Sequence, residues 1–392
     1  MDPQPEETPV DARRRGRRLL LTSVVAGVAA IALAVSLQVM RDGRARVVPY
    51  VGGPHAALPP PATEIWPEAI HQLPWLLPNG KRYHPILFLD QDRMLIKTQS
   101  KADAADLLAS YDLRDGDVKD LVRLAVPLEL AATDFAIGSG TMVWRTRHHG
   151  PGNYSTDIWT APVAGGAATL RASLPLDVIS TDALHASSSA FYPGSEFSGL
   201  SVSGENIYWT TPGTGLWRLP LTGGAPAAQV PGTAGYTLFS YPWVGLPSEQ
   251  GRSQTGFRDL RNMETGETRT AVIPADKRSW TCSLTRCLGQ MSSSYKVDDA
   301  AGQARNGSAY RLLPSMEGEG IAQDRFTVLT VYRPQHHAVA VSLVDLKTGA
   351  AGLVGRLGVD DGLAHQRIFH DTELYHYKQD GKMIIIDLRA IR

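Results

Sequence analysis

Cys282 and Cys287 are the two cysteines of the chain, and four residues separate them in the segment SWTCSLTRCLGQ. This spacing suits two strands joined by a tight turn, which brings the sulfur atoms within bonding distance. Half of a metal site is the alternative, but there is no second cysteine pair and no histidine nearby. We therefore predict a disulfide that closes one hairpin, which requires an oxidising compartment.

Histidine is the next residue type to consider, because it binds metals and transfers protons near neutral pH. His148–His149 and His336–His337 are adjacent pairs. Neighbours on a strand point to opposite faces, so neither pair is suited to chelating one ion. The segment RTRHHGPGN around the first pair is predicted to be a long loop. His370 and His376 would need partners from distant parts of the chain, and we predict no metal and no cofactor.

Motifs for nucleophilic or phosphate chemistry are absent from the sequence. It contains no Gly-x-Ser-x-Gly elbow, no His-Glu-x-x-His, no calcium loop and no phosphate-binding glycine motif. The acidic pairs Asp298–Asp299, Asp360–Asp361 and Glu317/Glu319 each lie near a glycine, which favours solvated turns. No catalytic residue is predicted. An enzyme that assembles its site from distant segments, such as a lyase, lactonase or cyclase, is the alternative function.

Aromatic side chains are the candidates for binding a partner. Five tryptophans fall in predicted strands, where they are expected to pack between sheets: Trp144, Trp159, Trp209, Trp217 and Trp280. In contrast, Tyr192 lies in one longer loop, and Tyr236, Tyr241 and Trp243 lie in another. Loops on a rigid scaffold carry function, so we predict that these four residues contact a partner.

The elements that would position these residues recur along the chain. Short apolar runs pair into hairpins around turn residues, as in DIWTAPVAGGAATLRASL, and each hairpin is preceded by a further pair of runs. The hairpins span residues 106–124, 157–174, 215–230, 256–273, 309–321 and 340–357, and residues 382–392 give one further strand. Four strands per unit, repeated in this way, are typical of a β-propeller.

The last unit ends at Arg392 without an outermost strand. A propeller must close its ring, because an open edge strand promotes aggregation. The segment EIWPEAIHQLPW, residues 64–75, precedes the first unit and is predicted to supply the missing strand. We therefore predict an all-β fold with seven blades. Six blades are the alternative, if the weaker units around residues 235–320 merge.

Two repeats carry a resemblance to known families. TDIWTAPVAGG, residues 156–166, resembles the repeat of TolB-like β-propellers, in which Asp-Ile-Trp/Tyr opens a strand that ends in a Gly-Gly hairpin. ENIYWTTPGTGLWRLPLTGG, residues 205–224, is similar to that repeat and to the Tyr-Trp-Thr-Asp repeats of receptor-type propellers, with Thr211 in place of the signature Asp. The resemblance implies a propeller, usually six-bladed in the TolB-like family, and a protein-interaction role at the cell envelope.

The N-terminal region indicates a location. No charged residue occurs from Leu19 to Leu37, a length that at about 1.5 Å per residue approaches the ~30 Å core of a bilayer. Five arginines precede this run and three follow it, which favours a cytoplasmic N-terminus. The alternative is a cleaved signal peptide with Ala32-Leu33-Ala34 at the cleavage site.

The predicted organisation has four parts: a cytoplasmic basic tail (1–18), a transmembrane signal-anchor helix (19–40), a Gly/Pro-rich stalk (41–63) and an extracytoplasmic propeller domain (64–392). Beyond residue 46 there are 31 Lys and Arg against 34 Asp and Glu, so no basic surface for nucleic acid is expected. The sequence therefore predicts a propeller anchored in the plasma membrane that acts as a binding or scaffolding module. Its partners would be the bilayer, through residues 19–40, and a protein or small molecule at one propeller face.

Overall fold

The structure is a computed structural model that describes residues 58–101, 104–129, 135–150, 153–176, 199–211, 215–246, 257–273, 278–290, 300–309, 311–313, 317–318, 320–332, 338–356, 368 and 371–392. The chain divides into two compact units, Met1–Pro49 and Tyr50–Arg392, and the described residues all belong to the second. Across these residues, no helix has the length and apolar character needed to span a bilayer. The predicted anchor, residues 19–40, lies outside them.

The described strands form seven antiparallel sheets, which are the blades of a β-propeller. Blades 1 to 3 contain β2 (Tyr83–Phe88), β3 (Arg93–Lys101), β4 (Ala104–Asp112) and β5 (Val118–Glu129); β6 (Phe135–Gly138), β7 (Thr141–Gly150), β8 (Asn153–Pro162) and β9 (Thr169–Leu176); and β10 (Leu200–Ser203), β11 (Asn206–Thr211), β12 (Gly215–Pro220) and β13 (Ala228–Gln229). Blades 4 to 6 contain β14 (Thr237–Ser240), β15 (Trp243–Gly245), β16 (Asp259–Asn262) and β17 (Thr268–Thr270); β18 (Arg278–Cys282), β19 (Arg286–Gln290), β20 (Ala300–Ala304) and β21 (Arg311–Leu313); and β22 (Glu317–Gly318), β23 (Phe326–Tyr332), β24 (Ala338–Asp345) and β25 (Ala351–Arg356). Blade 7 combines β26 (Leu374–Gln379) and β27 (Lys382–Asp387) with β1 (Ile70–Pro74).

In blades 1 to 6 the strands lie in chain order across each sheet. The first strands of neighbouring blades contact one another, as β6 and β10 do and as β10 and β14 do, so the first strand is innermost. The prediction of a seven-bladed all-β propeller is therefore confirmed, and the six-bladed alternative is wrong.

One predicted hairpin, residues 309–321, is wrong. Its first run forms β21, the outermost strand of blade 5, and its second run forms β22, the innermost described strand of blade 6. The segment therefore connects two blades. A short apolar run next to a glycine looks the same in a hairpin and in a crossover, because only the pairing partners distinguish them.

A turn motif recurs where the third strand of a blade ends. Asp112, Asn262 and Asp345 each accept backbone N–H bonds through the side chain, an arrangement that stabilises a turn locally. Four residues later, a glycine donates its N–H to the carbonyl of the same residue. These glycines have φ angles of 80°, 75° and 79°, a left-handed conformation that other residues rarely adopt: Gly116, Gly266 and Gly349.

The same register identifies the strands of blade 7. Leu374 on β26 pairs with Asp387 on β27, just as Arg93 pairs with Asp112 between the second and third strands of blade 1. The strands β26 and β27 therefore occupy the second and third positions, and β1 is outermost. The N-terminal segment thus supplies the outermost strand, as predicted. Most of the stretch between β25 and β26 lies outside the described residues.

Residues that precede β1 pack on blade 6. The carbonyl of Pro60 accepts the N–H of Leu353 at 2.7 Å, and Ala62 begins the short helix α1 (Ala62–Ile65). A Cβ atom on Gly352 would lie 2.7 Å from the Cα of Ala62, so glycine permits this close approach. Trp66, only 5% exposed, joins an apolar cluster that blades 6 and 7 share. The chain therefore crosses from blade 6 to blade 7 before it closes the ring.

Apolar side chains fill the boundaries between blades. Leu73 of β1 packs with Met94 of blade 1 and with Ile385 of blade 7 in one cluster. Tryptophans do the same at other boundaries, as predicted: Trp144, Trp209 and Trp280 are buried. This packing holds the inner strands in fixed positions relative to one another.

Candidate ligand site at the inner seam of blades 7, 1 and 2

Three of the loop residues predicted to bind a partner are described, and they lie around the hairpin of β14 and β15. Tyr236 precedes β14 and Tyr241 follows it, and both pack against one apolar cluster. Each is partly buried. Trp243 begins β15, so its assignment to a loop is wrong; it is 8% exposed and belongs to the apolar core. Tyr192 lies outside the described residues, and a binding role for all four stays a prediction.

Tyr241 joins two blades. Its ring stacks on that of Tyr208 in blade 3, with centroids 3.6 Å apart and planes 12° apart. Burial is the main cause that raises the pKa of Tyr241, and hydrogen bonding with Tyr208 and Glu264 acts in the same direction. The phenol is therefore protonated at neutral pH. These contacts give Tyr241 a structural role at the boundary between blades 3 and 4.

The predicted disulfide is confirmed. Cys282 and Cys287 lie directly opposite each other on β18 and β19, and their sulfur atoms are bonded. Both residues are buried in a cluster with Trp280 and Ala301. The bond fixes the first hairpin of blade 5 and leaves no described cysteine free.

The adjacent histidines that the sequence assigned to a loop lie in a strand. His148 and His149 belong to β7 and pair with Ser155 and Tyr154 of β8. The loop prediction is wrong because the hairpin of blade 2 continues its pairing out to Gly150, despite the polar residues near its tip. His336, His337 and His370 lie outside the described residues.

Two histidines distant in sequence meet at the inner side of the ring. His84 lies on β2, the innermost strand of blade 1, and His376 lies on β26 of blade 7. Their rings contact edge to face, with centroids 4.5 Å apart. Both side chains are partly exposed, although burial is the leading cause of the shift in each pKa.

A lysine completes this group. Lys97 lies opposite His84 in the register of β2 and β3 and is fully buried. Its ammonium nitrogen is 5.8 Å from the centre of the Phe135 ring, on the innermost strand of blade 2. Side chains from blades 7, 1 and 2 therefore converge, and we refer to His84, His376 and Lys97 together as the seam site.

The electrostatics of the seam site follow from this arrangement. Burial lowers the pKa of His376 to about 3, and the charge of Lys97 lowers it further. The pKa of His84 is also well below its usual value, through burial first and then through His376 and Lys97. Both imidazoles are therefore neutral at pH 7, beside a buried lysine.

Neutral imidazoles offer one N–H donor and one acceptor each, so the seam site can hold a ligand by hydrogen bonds. Within the described ranges, no three His, Cys, Asp or Glu side chains are grouped closely enough to hold a metal ion. Binding by two histidines and a nearby cation is the chemistry that these residues offer.

Sequence reasoning named His376 but missed His84 and Lys97. No local motif marks either residue, because His84 follows a turn in KRYHPILF and Lys97 ends the apolar run RMLIK. A search for polar residues on the first two strands of each repeat would have found them. Their meeting with His376 depends on closure of the ring.

Comparison with known proteins gives no family. No protein-family model matches the sequence, and no curated protein matches it. The uncharacterized protein lmo1340 from Listeria monocytogenes EGD-e is similar in structure, with 7% identity, a TM-score of 0.43, and coverage of 78% of this chain and 88% of that chain.

Two further structures are similar at the same level. BamB from Moraxella catarrhalis shares 12% identity with a TM-score of 0.34, over 77% of this chain and 81% of its own. TolB from Acinetobacter baumannii shares 8% identity with a TM-score of 0.30, over 69% of this chain and 54% of its own. The sheet topology confirms the propeller fold that the resemblance to TolB-like repeats implied, with seven blades and not the six usual in that family. The likenesses carry no functional argument, and the propeller assignment rests on the sheet topology.

Proposed function

We propose that this chain is an anchored β-propeller, displayed outside the cytoplasm, that works as a binding or scaffolding module. In this proposal residues 19–40 span the membrane with residues 1–18 in the cytoplasm. The Gly/Pro-rich residues that follow form the stalk. A ligand or partner is bound by the rigid ring and not by the tether.

The seam site is the observation that carries the binding role. Side chains from three consecutive blades converge there, and two histidines keep part of their surface exposed. Buried ionisable groups with strongly shifted pKa values are concentrated at functional sites. A rigid ring holds such groups in place at little entropic cost on binding.

One feature supports display outside the cytoplasm. Disulfides persist in oxidising compartments and are rare in the cytosol, and Cys282 and Cys287 form a buried disulfide.

Membrane extraction and thiol labelling test the anchoring part of the proposal. The full-length chain should stay with the membrane fraction in alkaline carbonate, and a Val25→Arg/Ala29→Arg variant should be released, because charge within the span opposes insertion. Cys282 and Cys287 should resist alkylation until a reductant and a denaturant are added. Release of the unaltered chain by carbonate, or free thiols in the denatured chain without reductant, would contradict the proposal.

A further inference from the structure

One tight turn occurs twice in the structure with the same backbone hydrogen bonds. The chain contains two Asn-Gly pairs, Asn79-Gly80 and Asn306-Gly307. In each pair the glycine donates its N–H at 2.9 Å to the carbonyl three residues before it. Its φ angle is left-handed, 76° for Gly80 and 82° for Gly307. A turn that ends in a left-handed glycine closes three-residue hairpin loops, so the two pairs have the same local structure.

The asparagine side chain is folded back over the backbone in both turns. The amide oxygen Oδ1 of Asn79 accepts the N–H of Lys81 at 3.0 Å, and Oδ1 of Asn306 accepts the N–H of Ser308 at the same distance. In such an Asx turn the side-chain amide takes the place of a backbone peptide group. The amide carbon Cγ is thereby held close to the backbone nitrogen of the following glycine. Both asparagines are exposed, so water reaches them.

The two turns differ in the residue that follows the glycine. Ser308 has a hydroxyl group, which donates to Oδ1 of Asn306 at 2.6 Å. Lys81 has no hydroxyl, so it gives Asn79 the backbone bond alone. Two donors from Ser308 are therefore aimed at the oxygen that becomes negatively charged when a nucleophile adds to Cγ of Asn306. Donors placed in this way before the reaction stabilise the developing charge and lower the barrier.

From this geometry we infer that Asn306 is a modification site, where the side-chain amide is lost through attack by the backbone nitrogen of Gly307. A base in solution takes the N–H proton of Gly307, and the nitrogen forms a bond to Cγ. The electron pair of the C=O bond moves to Oδ1 and returns as the bond from Cγ to Nδ2 breaks, and Nδ2 takes a proton from water and leaves as ammonia. Water then opens the cyclic imide at either carbonyl and gives aspartate or isoaspartate. Nothing is oxidised or reduced, and water is the only co-reactant.

The bond from Gly307 N–H to the Ala304 carbonyl opposes this attack, because it has to open first. The same cost applies to Asn79, since Gly80 makes an equivalent bond. The Ser308 hydroxyl is the remaining difference, and its bond strengthens as charge develops on Oδ1, because charge-assisted bonds are about twice as strong as neutral ones. We therefore expect amide loss at Asn306 to be about fivefold to tenfold faster than at Asn79 in the folded protein.

The modification affects the boundary between blades 4 and 5. Asn306 follows Arg305, whose backbone carbonyl accepts the N–H of Val272 and whose guanidinium donates to the carbonyl of Phe257, both in blade 4. A Cβ atom on Gly307 would lie 3.1 Å from Cγ1 of Val272, so the turn packs closely on that blade. Isoaspartate adds a carbon atom to the main chain of this turn. We therefore expect the modified protein to unfold at a lower denaturant concentration than the unmodified protein.

The test follows both asparagines in one sample. The full-length chain is kept folded in mild detergent at mildly alkaline pH, in water enriched in heavy oxygen. Samples taken at intervals are digested in ordinary water and analysed by mass spectrometry, so that heavy oxygen marks the amides lost during the incubation. The same chain unfolded in urea is the control, and there the two asparagines should react at similar rates because the turns are absent.

Substitutions isolate the contribution of the hydroxyl group. Ser308→Ala should slow amide loss at Asn306 to the rate at Asn79. Lys81→Ser should accelerate amide loss at Asn79 by supplying the second donor. Lys81→Ala is the matched control for removal of the lysine charge, and it should leave the rate at Asn79 unchanged.

Four outcomes would overturn the inference. Equal rates at Asn79 and Asn306 in the folded protein, or an unchanged rate at Asn306 in Ser308→Ala, would remove the role of the hydroxyl. A difference that persists in urea would assign it to the sequence and not to the turn. Formation of aspartate without isoaspartate would show direct hydrolysis by water and exclude attack by Gly307. None of these measurements depends on the membrane anchor or on the binding role, so the inference and the proposed function can fail separately.

Discussion

Closure of the ring by β1 predicts that one leucine near the N-terminus stabilises the whole propeller. Leu73 is 6% exposed and packs at the boundary of blades 7 and 1, whereas Leu76, three residues later, is 43% exposed. Replacing a buried leucine by alanine costs about 2–5 kcal/mol, through lost transfer energy and the remaining cavity. Leu73 lies on an outermost strand, where neighbours can relax, so we expect Leu73→Ala to lower the free energy of unfolding by about 2–3 kcal/mol.

Leu76→Ala is the matched control, with an expected change within about 0.5 kcal/mol. Guanidinium unfolding of the full-length chain, followed by tryptophan fluorescence, measures both variants. The denaturant dependence should be the same for both, because neither changes the surface exposed on unfolding. Equal midpoints for Leu73→Ala and Leu76→Ala would refute closure of the ring through β1.

Deletion of a segment extends the same reasoning. Removing residues 64–75 takes away β1 and exposes the edge of β27, whose residues 383–386 are all buried in the closed ring. An exposed apolar edge strand promotes aggregation, so this variant should aggregate or unfold at low denaturant. Removing residues 1–12 should leave the unfolding midpoint unchanged, and similar behaviour of the two deletions would again argue against closure.

Three further predictions concern single features. The free energy of unfolding should fall as the pH is lowered from 7 to 5. The unfolded chain protonates His376 below its ordinary pKa of 6.5, whereas the folded protein holds that pKa at about 3. His376→Gln should remove about 2 kcal/mol of this loss at pH 5, and parallel plots of unfolding free energy against pH for the variant and the unaltered chain would contradict the prediction. Replacing Cys282 and Cys287 together by alanine should lower the free energy of unfolding by about 2 kcal/mol, because the disulfide removes the closure entropy of a short loop from the unfolded chain. Thermal unfolding with and without reductant measures the effect, and an unchanged midpoint in the variant would contradict the prediction. Arg305→Leu should lower the free energy of unfolding by about 2 kcal/mol or more, because the buried guanidinium donates to the carbonyls of Ser283 and Phe257. Arg114→Leu, on the surface, should leave the urea midpoint almost unchanged. Equal midpoints for the two variants would refute a bonding role for Arg305.

Arg305 is the polar exception at a backbone position that recurs in the seven blades. In every blade, the residue that follows the third strand donates its N–H to the residue before the second strand: Leu113, Val163, Leu221, Met263, Arg305, Leu346 and Leu388. Six of these side chains are apolar. Arg305 occupies the same backbone position in blade 5, and its buried guanidinium bonds to carbonyls of blade 4 as well as of its own blade. Burial lowers its pKa to about 10, which leaves it protonated at neutral pH.

Local features of the propeller could be predicted from the sequence because they depend on neighbouring residues. The Asp or Asn followed four residues later by glycine specifies the turn after a third strand through its own hydrogen bonds. The spacing of Cys282 and Cys287 specifies their hairpin, and the missing outermost strand specified the closing role of residues 64–75. The crossover at residues 309–321 could not be predicted in this way, since a hairpin and a crossover contain the same short runs.

The seam site forms only in the tertiary structure and could not be predicted from the sequence. His84 and His376 are 292 positions apart in the sequence, and they meet because β1 pairs with β27 and draws blade 7 against blade 1. Periodicity and turn chemistry are set within about ten residues, so the sequence alone determined five of the six predicted hairpins and the disulfide. Which inner strands touch, and which of their polar side chains become buried together, was decided by the packing between blades, because apolar burial fixes those distances without regard to separation along the chain.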